Sequence, residues 1–150
     1  MRIAFLTIIV FGTVLVPGTE TRPQCTCVAN RVNISAQGEF ELADAVFVGK
    51  IVAVNKTPPD IHYHYVESVT FKVETAWKQD LESSVTIVNK ILGCANGFAK
   101  DEKWLVYVYK RPDGTLGSLC CCTRTTNLAK AQDDLEFLAK AKKAKVSPPK

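Results

Sequence analysis

The sequence predicts a mainly β fold, and three observations carry that prediction. Runs rich in β-branched and aromatic residues recur five times, a stretch of helical period follows the last of them, and six cysteines punctuate 150 residues. Five strands and a terminal helix fit a five-stranded OB-like Greek-key barrel with flanking helices, a closure that removes exposed sheet edges. The cysteines add the expectation of a disulfide-stapled domain.

The first residues read as a leader. Met1-Arg2 supplies a positive start, and Ile3 to Val16 is apolar except for Thr7, Gly12 and Thr13, with Pro17-Gly18 ending the run. About 14 such positions are too few to span a bilayer and suit a secretory signal peptide. The expected product is therefore secreted and extracellular, without a membrane span. Residues 1–24 are read as signal, 25–139 as one domain and 140–150 as a basic, flexible tail. Val16 and Gly18 satisfy the small-residue rule for a cut after Gly18. A cut after Gln24, which would leave Cys25 first, has the poorly suited Arg22 and Gln24 before it; the sequence leaves the cut open.

Val28 to Glu41 has room for a short helix. Ala45 to Val54 is the first strand, with Gly49 marking a bulge or bend. Asn55 to Asp60, with two prolines, is a loop. Tyr65 to Trp77 alternates, with Val69, Phe71, Val73 and Thr75 on one face and Thr70, Lys72, Glu74 and Ala76 on the other. Val85–Val88 and Trp104–Tyr109 are further strands, and Arg111-Pro112-Asp113-Gly114 is a turn that returns the chain as a fifth, Thr115–Thr123. Leu128, Ala131, Leu135, Leu138 and Ala139 then recur at helical spacing, with Asn127 as N-cap.

Charge argues against a nucleic-acid partner: the formal net charge is +4, much of it in the tail from Lys140. Tyr63, Tyr65 and Trp77 lack the basic groove that a base-stacking platform needs. The pair His62 and His64 has no third ligand near it in sequence, so no metal of its own is expected. No nucleophile–base arrangement and no phosphate loop are present, so neither enzyme activity nor a cofactor is expected. Asn33-Ile34-Ser35 and Asn55-Lys56-Thr57 are glycosylation sequons, the second followed directly by Pro58. Six cysteines permit about 15 pairings, so count alone fixes none of them.

The start Cys25-Thr26-Cys27, the mid-chain Cys94, the runs Ala43–Val54 and Val69–Trp77, and Leu119-Cys-Cys-Cys-Thr-Arg-Thr125 carry a resemblance. Together they resemble the N-terminal inhibitory, netrin-like domain of the tissue inhibitors of metalloproteinases, over roughly Cys25 to Ala139. The C-x-C start is the most specific element. The resemblance implies that the α-amino nitrogen and carbonyl oxygen of Cys25 bind the catalytic zinc of a target protease. They would displace the water that the zinc activates for peptide hydrolysis.

Thr26 would enter the pocket beside that zinc, with Cys27 and Val28 extending the inhibitory ridge and Leu92, Gly93 and Cys94 forming its second strip. Implied disulfides are Cys25–Cys94 and Cys27–Cys122, which leave Cys120 and Cys121 surplus. Implied partners are zinc metalloendopeptidases of the matrix metalloproteinase (metzincin) type, with extracellular matrix as a further partner.

Two departures stand out. Gln37 occupies the region of the family's third cysteine and no cysteine follows Cys122, so one family bridge has no counterpart. The family's second domain likewise has no counterpart. Netrin-like modules that keep the fold without inhibition, and bind protein or matrix instead, are the alternative.

Overall fold

The computed structural model describes residues 33–58, 65–91, 97–118 and 122–149. Along the chain lie α1 (Ala36–Leu42), β1 (Ala45–Lys56), β2 (Tyr65–Ala76), β3 (Leu81–Glu82), β4 (Ser84–Ile91) and β5 (Lys103–Lys110). They are followed by β6 (Leu116–Gly117), β7 (Thr126–Asn127), a 3-10 turn (Leu128–Lys130), α2 (Gln132–Leu138) and β8 (Val146–Ser147). The main sheet runs β4-β2-β1-β5-β6, with β7 also on β5, and every pairing in it is antiparallel.

The two ends of that order approach each other. The Ser118 N–H donates to Asn89 Oδ1 at 2.9 Å, across the gap between β6 and β4. At Gly117 a Cβ would lie 3.0 Å from the Val88 carbonyl oxygen and 2.7 Å from the Arg111 guanidinium, so glycine eases the close approach of the strand ends. The chain is thus mainly β, with a nearly closed, barrel-like antiparallel sheet and two short helices.

Burial explains the sequence pattern of β1 and β5. Phe47, Ile51, Trp104 and Val106 face the barrel interior with Val69, Phe71, Val85, Ile87 and Phe98. On the other face Val46, Val48, Leu105 and Tyr107 pack with Ala131 and Leu138, flanked by Phe40, Leu135 and Phe137. Strands covered on both faces read as continuous apolar runs instead of alternating ones. The interior is filled by a relay of edge-on rings, Phe47–Phe71 at 5.4 Å, Phe71–Phe98 at 5.8 Å and Phe98–Trp104 at 4.6 Å between centroids.

The bend expected at Gly49 is present, and its extra residue lies on the neighbouring strand. Val48 pairs Thr75 while Gly49 pairs Val73, so Glu74 bulges; a second irregularity skips Val52. A Cβ at Gly49 would meet the Lys72 carbonyl oxygen at 3.0 Å and the Phe47 ring at 3.2 Å. Past the Glu74 bulge the facing of β2 shifts, and Ala76, expected on the outer face, is buried.

Three other expectations need correction. Of the fifth strand foreseen over Thr115–Thr123, the described residues form strand only at Leu116–Gly117 (β6), and a further strand, β7, pairs with β5 beyond that range. Asn127 caps the 3-10 turn, accepting from the Ala129 N–H at 3.1 Å, while α2 starts at Gln132 without a side-chain cap. The tail expected to be flexible is held by main-chain bonds over Ala144–Ser147. There β8 pairs in parallel with β3, Ala144 N–H donates to the Ala76 carbonyl at 2.8 Å, and Ala144 and Val146 pack on the core. Neither the β3–β8 pair nor β7 has a sequence signal, because two-residue strands are too short for a period. Among the described residues no helix is long and apolar enough to cross a membrane.

Candidate functional site

Of the residues implicated by sequence, Cys25, Thr26, Cys27, Val28, Leu92, Gly93, Cys94, Cys120 and Cys121 lie outside the described residues, as do His62, Tyr63 and His64. Cys122 is described, and it is disulfide-bonded. The other five cysteines all lie outside the described residues, so its partner does too. What the structure defines is the platform from which Cys122 and the N-terminal side of the domain emerge.

That platform is built on Thr123-Arg124-Thr125. Arg124 grips Asp134 with two parallel bonds, Nε to Oδ1 and the terminal nitrogen to Oδ2, both 2.7 Å. This fork geometry is the strongest that a carboxylate and a guanidinium can make. The other terminal nitrogen of Arg124 donates to the Ile34 carbonyl at 3.0 Å. Asp134, on α2 and 3 % exposed, also accepts from the Tyr107 hydroxyl at 2.7 Å. Burial, and then the bond to Asp134, hold that hydroxyl well above the ordinary tyrosine range, so it stays protonated. The bond to Asp134 likewise pushes Arg124 up.

The flanking threonines complete the network. Thr123 Oγ1 donates at 2.7 Å to the fully buried Glu39 of α1, which also accepts from the Tyr109 hydroxyl. Thr125 Oγ1 takes the Tyr107 N–H at 2.9 Å and receives the Ser118 hydroxyl at 3.0 Å. Buried polar groups are thus satisfied in a connected set reaching α1, β5 and α2. Its effect is to fix the three residues after Cys122 and, through Ile34, the first described residues ahead of α1. An open polar cleft of about 320 Å³, lined by Thr123–Thr126, Lys130 and Asp134, lies beside it.

Glu39, Tyr107 and Asp134 were not singled out from sequence. Tyr107 sits inside an apolar run, and Asp134 falls one residue from the outward-facing Asp133, where period alone does not separate them. The lone cation Arg124 between two threonines was the available signal. Asn33 and Asn55 are both exposed. Asn33 has a left-handed φ of 58°, and Ser35 of its sequon caps α1, accepting from the Gly38 N–H at 3.1 Å. Among the described residues no group of three or more His, Cys, Asp or Glu could hold a metal ion. No protein-family model and no curated protein matches the chain.

Proposed function

We propose that this chain is a secreted inhibitor of zinc metalloendopeptidases, acting by stoichiometric occlusion of their active site. The observation that carries the proposal is the Cys25-Thr26-Cys27 start, with Cys94 and Cys122 available to staple it. In this reading the sheet is an OB-type barrel, and the bridges are Cys25–Cys94 and Cys27–Cys122.

The disulfide at Cys122 and the Arg124–Ile34 bond support it, because both anchor segments that this reading joins to the ridge. A ridge held rigid before binding loses little conformational freedom on binding. The α-amino group of Cys25, with a reference pKa of about 8, reaches its neutral, zinc-binding form near physiological pH. Thr26 then fills the pocket beside the target's zinc, and Leu92 and Gly93 line the cleft next to it. The protein needs no cofactor of its own for this role.

Processing decides between this and the second reading, a non-inhibitory netrin-like binding module. Val16 and Gly18 favour that reading, since a cut after Gly18 leaves six residues ahead of Cys25 and turns its amine into an amide. N-terminal sequencing of the secreted protein, with titration against a panel of metzincin proteases, tests both. A chain starting at Cys25 that titrates a protease one to one is the expected result. Placing one alanine before Cys25 should abolish inhibition, and undiminished inhibition would remove the chelation mechanism. Thr26→Gly should weaken binding by emptying the pocket.

A further inference from the structure

We draw no further inference here: the strongest candidate, the half-buried aromatic face where Phe40 of α1 meets Phe137 of α2, with Trp77 packed on the same core cluster, carries nothing because nothing in the structure shows what covers it.

Discussion

Arg124 holds both carboxylate oxygens of Asp134 at 2.7 Å and gives a remaining donor to the carbonyl of Ile34, 90 residues earlier in the chain. One guanidinium therefore ties α2 to the first described residues ahead of α1. Removing one partner of a largely buried ion pair leaves the other charge uncompensated, at a cost of about 3–5 kcal/mol. Arg124 is partly exposed, so Arg124→Met should fall at or below the lower end, since water can reach Asp134 from that side. Chemical denaturation measures the loss. Native-state amide exchange should show protection falling more at Gly38 to Ala43 than in β1, and uniform loss across the domain would contradict the tether.

Tyr107 gives the network a pH signature. Its folded pKa is raised, first by burial and then by the bond to Asp134. The unfolded hydroxyl ionises at about 10, whereas the folded one does not in the same range. A raised folded pKa contributes stability that is complete below the unfolded value and is lost as pH rises above it. Native stability should therefore fall above about pH 10, and Tyr107→Phe should flatten that fall while losing about 1 kcal/mol at neutral pH from the deleted hydrogen bond. Denaturation midpoints of both proteins from pH 7 to 11 check this, and parallel curves would exclude Tyr107 as the source.

How far the sequence could be read follows from the same residues. Val69, Phe71 and Val73 announce β2 because an interior face repeats every second residue, and Gly49 announces a bend because little else suits a backbone packed against Lys72 and Phe71. Both signals are local. The Glu74 bulge, the meeting of β4 with β6 and the choice of Asp134 over Asp133 as buried carboxylate depend on partners 10 or more residues away in sequence. The C-x-C start and the cysteine triplet were legible as chemistry, while the Thr123–Arg124–Thr125 platform that positions Cys122 became apparent only with Glu39, Tyr107 and Asp134 around it.

Gly49 and Gly117 should differ in tolerance. An alanine at Gly49 presses on the Lys72 carbonyl oxygen at 3.0 Å and on the Phe47 ring and the Phe71 Cβ at 3.2 Å, all within the packed β1–β2 pair. Overpacking of this kind costs about 1–3 kcal/mol. At Gly117 the closest atoms belong to the flexible Arg111 side chain, though the Val88 carbonyl also stands at 3.0 Å. Gly49→Ala should lower the thermal midpoint more than Gly117→Ala. The reverse order would place the critical strain at the β4–β6 closure.

The segment after α2 should behave as part of the fold. Ending the chain after Lys143 removes the Ala144–Ala76 bond, the β3–β8 pairing and the Val146 side chain from the core. Half-burying one valine and two small side-chain or main-chain contacts sums to about 1–3 kcal/mol. Denaturant titration of the shortened chain should show that loss, with Leu81 amide protection falling first. A midpoint within error of the full chain would mean that β8 merely rests on the surface.

At Glu67 an apolar substitution should help. It lies fully buried on β2 with Val69 and Phe71, meets the Lys56 ammonium at 3.2 Å, and neither of its oxygens receives a hydrogen bond of adequate geometry. Removing a carboxylate from water costs several kcal/mol, and a single half-exposed lysine returns only part of it. Lys56 is itself half-exposed, so the substitution strands no buried charge. Glu67→Leu should therefore raise stability by about 1–2 kcal/mol, several degrees in thermal midpoint for a domain of this size. Glu67→Gln, which keeps two polar groups without partners, should gain less or lose. A lower midpoint for the leucine variant would mean that the Lys56–Glu67 pair outweighs its desolvation.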